Sequence, residues 1–254
     1  MTVRSVLLIF AHPDDETVFA GGVASRYADA GARVALCTAT LGERGKTGTP
    51  PVCEADQLGR VRQAELVAAA ALIGVSTLRV FGYPDCGLQY APPDLIRRQL
   101  VEAIRAVRPQ VVITFDPNGS NLHPDHIAIS RFAGDAVAAA ADPRFLPEVA
   151  SVHAVRRVLW TLPVRPWDVV SGGDPSRVAG VDFVVDVARW KHRKAAALRA
   201  HQTQHASLDR IMLSKPDVDR LLSIELFRQA WGPPTVERPS DDIFDGIEAN
   251  AARL

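Results

Sequence analysis

The sequence predicts an α/β fold in which a parallel β-sheet is flanked by helices and followed by a smaller C-terminal α+β portion. Over the first 140 residues, short β-branched runs alternate with longer stretches of helical period, and glycine or proline ends most of these stretches. Beyond residue 150 this alternation weakens. A chain of 254 residues, 47% of them hydrophobic, can bury one sizeable core. We therefore expect a single domain over residues 1–254, with a core to about 150, a C-terminal portion over about 151–232 and a tail at 233–254.

Four strands are predicted in the first part of the chain, and each is an apolar run that ends where polar residues begin. They are residues 5–11, 33–39, 77–81 and 110–115. Helices are predicted over residues 16–30, 57–73, 94–107 and 124–141. Gly31 and Gly74 follow the first two helices, and Pro124 lies in the first turn of the fourth, as the conformational preferences of these residues favour.

The pattern after residue 150 predicts fewer elements. Strands are predicted over residues 153–162 and 181–187, and a basic helix over residues 188–204. We expect a long surface loop at residues 163–180, partly helical structure over residues 208–231, and a loosely held terminus after Gly232.

The charge balance limits the classes of partner. Twenty-nine basic residues balance twenty-nine acidic ones, so no overall field attracts nucleic acid or an anionic membrane. A small molecule is the expected partner, and a homo-oligomer stays open. The apolar run at residues 6–10 is too short for a signal peptide or a membrane span, which predicts a soluble cytoplasmic protein. The three cysteines have no metal-ligand spacing.

Histidines and carboxylates follow two of the predicted strands. AHPDDE at residues 11–16 comes directly after the first strand, and HPDH at residues 123–126 follows the fourth. In a doubly wound sheet these two strands can be neighbours, and ligands bind beyond the carboxyl ends of the strands. Each tetrad alone could be a turn with a helix cap, but two of them at strand ends of one sheet favour a metal site.

The residue types in the two tetrads match a catalytic zinc site. Such a site takes three His or carboxylate ligands and leaves one position open, and His12, Asp15 and His126 supply that set. Asp14, next to a ligand but not counted among them, fits the general base for an attack on a carbonyl.

Two further residues of the second tetrad have predicted roles. His123 lies one helical turn before His126, so it can stabilise a developing oxyanion or protonate a leaving amine. Asp125 is expected to orient a histidine from outside the ligand set.

These motifs resemble those of the LmbE-like and PIG-L zinc-dependent N-deacetylases, similar to the N-acetylglucosaminyl deacetylases of the mycothiol and bacillithiol pathways. The resemblance covers about residues 4–205. It comprises, in the family's order, AHPDDE (11–16), TLGE (40–43), RQAEL (62–66), YPD (83–85), RPQVVITFDPNG (108–119), HPDH (123–126) and KAAALRAHQTQ (194–204). It implies a Rossmann-like fold, one Zn²⁺ per chain with other first-row divalent ions possible, and hydrolysis of an N-acetyl group on a glucosamine-type sugar. The resemblance implies the same metal ligands, the same general base and the same role for His123 as those inferred above from the residues.

The resemblance also implies contacts to the sugar. It assigns them to Arg62 and Asp85, and a guanidinium and a carboxylate suit polyol recognition. The alternative for Arg62 is a salt bridge with Glu65 or Glu43. Where some relatives carry a tyrosine that assists the oxyanion, this chain has Asn121, so either Asn121 donates that hydrogen bond or the assistance comes from elsewhere.

Other functions fit the sequence less well. Residues 45–47 (GKT) suggest a phosphate-binding loop, but Thr40 stands where its first glycine belongs and prolines follow in place of a helix. A nicotinamide site is excluded because no GxGxxG follows the first strand. A non-catalytic sugar-binding protein would not need Asp14. An amidase for a bulkier acyl group stays open, because residues 42–56 and 150–240 are expected to build the substrate pockets.

Overall fold

A seven-stranded sheet runs through the computed structural model, which describes residues 3–162 and 180–247. Its strands, in chain order, are β1 (Ser5–Phe10), β2 (Arg33–Thr40), β3 (Thr77–Tyr83), β4 (Val111–Phe115), β5 (Arg157–Thr161), β6 (Phe183–Asp186) and β7 (Ile224–Trp231). Their order across the sheet is β3-β2-β1-β4-β5-β7-β6. The first five strands pair in parallel, and β7 is antiparallel to both β5 and β6. The predicted α/β class with a smaller C-terminal portion is confirmed.

The central position of β1 and β4 follows from their composition. Every residue of both strands is buried, which is typical of parallel strands covered by helices on both faces. They pair directly, with Val6 opposite Val111 and Leu8 opposite Ile113. The predicted neighbourhood of the first and fourth strands is therefore confirmed, and the two histidine tetrads start from the same edge of the sheet.

The helices agree closely with the predicted ones in the first half of the chain. They are α1 (Asp15–Asp29), α2 (Leu58–Leu72), α3 (Pro93–Val107), α4 (Gly119–Leu122), α5 (Pro124–Ala140), α6 (Lys191–Ala200), α7 (His205–Leu208) and α8 (Val218–Ser223). Single 3₁₀ turns lie at Ala55–Gln57, Leu88–Tyr90, Ala188–Trp190 and Gln202–Gln204, and a π-helical turn at Asp209–Leu213. The predicted basic helix over 188–204 is therefore shorter, with a 3₁₀ turn at each end. Among the described ranges, none of these helices has the length and apolar character needed to cross a membrane.

The last strand was not predicted from the sequence. Residues 208–231 are partly helical, as predicted, but only as far as Ser223, and Ile224–Trp231 form the strand β7. This segment pairs with β5 on one side and β6 on the other. Hydrogen bonding to both strands fixes the segment as a strand, and Ile224, Phe227 and Trp231 suit that conformation.

The chain after Gly232 is also not as predicted. Ile243, Phe244 and Ile247 are buried, and the guanidinium of Arg157 donates to the carbonyls of Ile243 (2.7 Å) and Pro233 (3.0 Å). The expected loose terminus is therefore wrong for residues 233–247. The predicted surface loop at 163–180 lies outside the described residues except for its last position, as do residues 248–254.

The close packing of α1 gives a stability prediction. A Cβ added at Gly22 would lie 2.5 Å from Cγ2 of Val187, which is too close for two carbon atoms. Gly22→Ala should lower the free energy of unfolding by about 1–3 kcal/mol. The matched control is Gly134→Ala in α5, where a Cβ would meet nothing within 4 Å and helix propensity should add about 0.5–1 kcal/mol. Urea unfolding measures both, and effects of the same sign would contradict this packing.

Candidate active site

The loops after β1 and β4 bring the predicted metal ligands together. Nδ1 of His12 lies 3.1 Å from Nε2 of His126. The Asp15 carboxylate joins them, with Oδ2 3.5 Å from Nδ1 of His12 and Oδ1 3.4 Å from Nε2 of His126. All three residues are buried, so two nitrogens and a carboxylate face one point beyond the strand ends.

The hydrogen bonds of the two imidazoles determine which nitrogens carry protons. Nδ1 of His126 lies 3.1 Å from the Gly119 carbonyl, which can only accept, so this nitrogen carries the proton. Nε2 of His12 lies 3.2 Å from carboxylate oxygens of both Asp125 and Asp85, so it carries the proton there. When both rings are neutral, the remaining nitrogens, which face each other, have free lone pairs, as in histidines that ligate a metal through one nitrogen and hydrogen-bond through the other.

The donor set fits a first-row divalent ion. Two ligand atoms bound tetrahedrally at about 2.0–2.2 Å are about 3.3 Å apart, close to the 3.1–3.5 Å separations within the cluster. Among the described residues, the ligand atoms of His12, His123 and His126 also lie within 4.8 Å of one another, as do those of His12, Asp85 and Asp125. The second group uses the protonated nitrogen of His12, so we interpret its carboxylates as orienting groups.

The electrostatics of the cluster favour a cation. Burial alone would lower the pKa of His12, but its hydrogen bonds to Asp125, Asp15 and Asp85 hold the pKa well above its ordinary value. Burial raises the pKa of Asp15, yet the charges of His126 and His12 outweigh this and lower it to about 2. The site therefore has surplus negative charge, and a metal ion would neutralise it.

Asp14 occupies the last position before α1 in a left-handed conformation, with φ 107°. Its N–H donates to Oε2 of Glu16 (3.1 Å), and its Oδ2 lies 3.3 Å from Nη2 of Arg62. Burial raises the pKa of Asp14 to about 6, although the charge of Arg62 lowers it. A carboxylate with this pKa is ionised at neutral pH and accepts a proton more readily than an ordinary one.

A buried pair that the sequence did not single out supports Asp14. Oε1 of Glu16 lies 3.0 Å from Nε2 of His201, and both residues are fully buried. Because the other Glu16 oxygen accepts the Asp14 N–H, His201 at the end of α6 contributes to holding the strained turn. Glu16 belongs to the motif AHPDDE and His201 to the motif KAAALRAHQTQ. Their place in these motifs was the signal available in the sequence.

His123 precedes α5 and borders the ligand cluster. Its ring centroid lies 4.8 Å from those of both His12 and His126. Its Nδ1 accepts the Asp125 N–H (3.2 Å), so in the neutral ring the proton is on Nε2. Burial and the charge of His12 lower its pKa below the ordinary value.

Asp125, in the first turn of α5, and Asn121, in α4, both have defined hydrogen-bond partners. The Asp125 carboxylate accepts the N–H groups of Cys86 (2.7 Å) and Leu88 (2.9 Å), and the histidine that it contacts is His12. Oδ1 of Asn121 accepts the N–H of His123 (3.0 Å). The amide group of Asn121 therefore supports the backbone of His123.

The two predicted sugar contacts are buried at the edge of the cluster. Nη1 of Arg62 donates to the Gly42 carbonyl (2.9 Å), and Nη2 donates to the Pro13 carbonyl. Within the described residues its carboxylate partner is Asp14, not the Glu65 or Glu43 considered from the sequence. Oδ2 of Asp85 accepts the Arg44 N–H (3.0 Å). Their contact with a sugar stays a prediction.

Comparison with known proteins adds independent information. The family profile described as PIG-L, GlcNAc-PI de-N-acetylase, matches residues 7–137. A 1D-myo-inositol 2-acetamido-2-deoxy-alpha-D-glucopyranoside deacetylase of Geodermatophilus obscurus is 35% identical over 96% of this chain and 98% of its own length.

Two solved structures share the fold at low sequence identity. One is the N,N'-diacetylchitobiose deacetylase of Pyrococcus horikoshii, with a TM-score of 0.69 and 22% identity over 89% of this chain and 83% of its own. The other is a 4-carboxy-2-hydroxymuconate hydratase of Pseudomonas putida, with a TM-score of 0.67 and 20% identity over 92% of this chain and 99% of its own. The fold alone therefore does not determine the reaction.

A mostly parallel sheet with a histidine and carboxylate cluster beyond the ends of its parallel strands defines an α/β enzyme with a site suited to a metal ion. The matched profile and the relatives then identify the reaction class. The chain belongs to the PIG-L family and is a deacetylase, a hydrolase of amide bonds. The family inferred from the motifs is confirmed.

Proposed function

We propose that the chain is a zinc-dependent hydrolase that removes the acetyl group from the nitrogen of an N-acetylglucosamine-type sugar or glycoconjugate. His12, Asp15 and His126 are the proposed ligands. The observation that supports this best is the 3.1 Å approach of two imidazole nitrogens whose protons are held on the opposite sides of the rings. Two lone pairs so close repel each other unless a cation or a proton lies between them.

Asp14 supplies the proton transfers in this proposal. A zinc ion held by His12, Asp15 and His126 would lower the pKa of a water molecule and polarise the amide carbonyl. Oδ2 of Asp14 is engaged by Arg62, so Oδ1 is the atom that takes the proton of the attacking water and later returns it to the leaving amine.

His123 acts in this proposal as a neutral hydrogen-bond donor. Its Nδ1 is occupied by the Asp125 N–H, so Nε2–H is directed to the carbonyl oxygen as that atom gains negative charge. The lowered pKa of His123 favours this role over that of an imidazolium acid at neutral pH.

The proposed substrate class is supported by the named relatives and by the polar residues at the edge of the ligand cluster. The Geodermatophilus relative is named for a 2-acetamido-2-deoxy-glucopyranoside, and we propose the same type of amino sugar here. Arg62 and Asp85 stay the proposed sugar contacts, because guanidinium and carboxylate groups suit hydroxyl recognition. Asn121 stays a proposed substrate contact, at the amide oxygen that gains negative charge. We further propose that the substrate is a small cytoplasmic conjugate, not a nucleic acid or a membrane.

A screen of N-acylated glucosaminides tests this function. Purified, zinc-loaded protein should release free amine from N-acetylglucosaminides, with one acetate per amine. N-butyryl glucosaminides distinguish the amidase for bulkier acyl groups, because that enzyme would prefer them. Tight binding of every sugar with no amine released would instead indicate a sugar-binding protein.

The pH dependence should report Asp14. Because the ionised form is the base and its pKa is raised to about 6, kcat/KM should be constant above that pH and fall as the pH decreases through it. The charge of Arg62 lowers this pKa, so Arg62→Gln should move the acidic limb to higher pH. A limb that stays in place, or moves to lower pH, in Arg62→Gln would contradict the assignment of the base.

A further inference from the structure

A cavity of about 700 Å³ lies beside the active site, and the mechanism above does not use it. Its wall on the side of the site includes Phe19 and Asn121. The Phe19 ring lies 5.1 Å from that of Phe115, which stacks on His126 with ring centroids 4.0 Å apart. Because Asn121 also holds the N–H of His123, the cavity and the site share one wall.

Most of the cavity wall is apolar. Leu162, Ile211, Met212 and Leu226 contribute to it from the end of β5, the π-helical turn and β7. The volume is in the range of small-molecule pockets, and such walls favour an apolar ligand. The wall also includes Thr161, which is almost fully buried and whose Oγ1 has no hydrogen-bond partner in the described part of the chain, so it is available to a ligand.

The cavity has a net positive charge. In its inner part, Nζ of Lys194 lies 2.6 Å from Oε1 of Glu225, and this ion pair has no net charge. The same carboxylate accepts the N–H groups of Gly22 and Val23. Two exposed cations, Arg210 and Lys215, line the outer part, and neither side chain has a hydrogen-bond or ion-pair partner within residues 3–162 and 180–247. An anionic group would match them.

We propose that this cavity binds the aglycone of the substrate, and that this aglycone is an amphiphilic anion: an aliphatic or aromatic body that ends in a carboxylate, sulfonate or phosphate. The apolar walls take the body, and Arg210 and Lys215 take the charged end. The inference rests on the proposed function, because it assigns the sugar to the metal site and the group beyond the sugar to the cavity. A neutral polyol aglycone would leave both features unused.

Three glucosaminides that differ only in the aglycone test the proposal: methyl, heptyl and 6-carboxyhexyl N-acetylglucosaminide. Heptyl should exceed methyl in kcat/KM by at least about tenfold, because burial of the chain stabilises the complex. The carboxylate should add a further gain of about two- to fivefold at low salt, and this gain should disappear at high salt. Equal kcat/KM values for the three compounds would overturn the proposal.

Charge variants locate the effect. In Arg210→Gln with Lys215→Gln, kcat/KM for the 6-carboxyhexyl compound should fall to the heptyl value, with the methyl and heptyl values unchanged. Arg199→Gln removes an exposed cation of α6 that does not line the cavity and should change none of the three. A carboxylate gain that survives the double variant would overturn the assignment of these two residues.

A binding experiment separates this proposal from the proposed function. Heptane-1-sulfonate, a poor metal ligand, should bind the zinc-loaded protein in calorimetry and weaken at least about twofold in the double variant but not in Arg199→Gln. If no glucosaminide is deacetylated and the sulfonate still binds in this way, the function fails and the cavity assignment stands. If the methyl compound is deacetylated and the sulfonate does not bind, the function stands and the cavity assignment fails.

Discussion

Asp14→Asn should lower kcat by on the order of a hundredfold or more, because the amide cannot take a proton from the attacking water. The protein should still fold and bind zinc, since Asp14 lies outside the group formed by His12, Asp15 and His126. The N–H of residue 14 keeps its bond to Glu16, so the turn before α1 should persist. Steady-state amine release, zinc analysis and thermal unfolding of the same preparation measure the three expectations.

Asp15→Asn provides the matched control for this substitution. The two aspartates are adjacent, but only Asp15 approaches both imidazole nitrogens. We expect Asp15→Asn to weaken metal binding and Asp14→Asn to preserve it. If Asp14→Asn lost the metal while Asp15→Asn retained it, the two carboxylates would have to exchange roles.

His126→Ala should remove both the metal and the activity, to below about 1% of the wild-type rate, because two ligands cannot hold the ion in a catalytic geometry. The ring of His126 also stacks on Phe115, so some loss of stability is expected. The control is His192→Ala, which removes an exposed histidine of α6. Zinc content after gel filtration measures the effect, and a His126→Ala protein with one zinc per chain and normal turnover would exclude His126 as a ligand.

The first half of the fold could be predicted because local sequence and tertiary structure agree there. β1 and β4 are apolar along their whole length, which indicates strands buried on both faces. Gly31 and Gly74, both with positive φ, follow α1 and α2 where the sequence indicated helix ends. The two tetrads could be joined into one predicted site because strand ends of a parallel sheet meet at one edge.

The features that were missed depend on distant contacts. Ile224–Trp231 becomes a strand because β5 and β6 lie on either side of it, and no local sequence pattern indicates those partners. The terminal segment is held by Arg157, 86 residues before Ile243. The Glu16–His201 pair joins residues 185 positions apart, so its support of Asp14 is visible only in three dimensions.

The orientation of Asp125 illustrates the same limit within the site. The sequence indicated that it orients a histidine, but not which one. Its carboxylate is fixed by the N–H groups of Cys86 and Leu88, which follow β3, and this geometry directs it to His12.

The requirement of the deacetylase for zinc is tested by removing and returning the metal, with amine release as the readout. Protein depleted of metal by a chelator should release no amine from a 2-acetamido-2-deoxy-glucopyranoside. Addition of zinc should restore activity in proportion to the metal bound, up to about one ion per chain. Deacetylation that persists at the full rate in metal-free protein, or a zinc-loaded protein that leaves every N-acetylglucosaminide intact, would contradict the proposed zinc-dependent deacetylation.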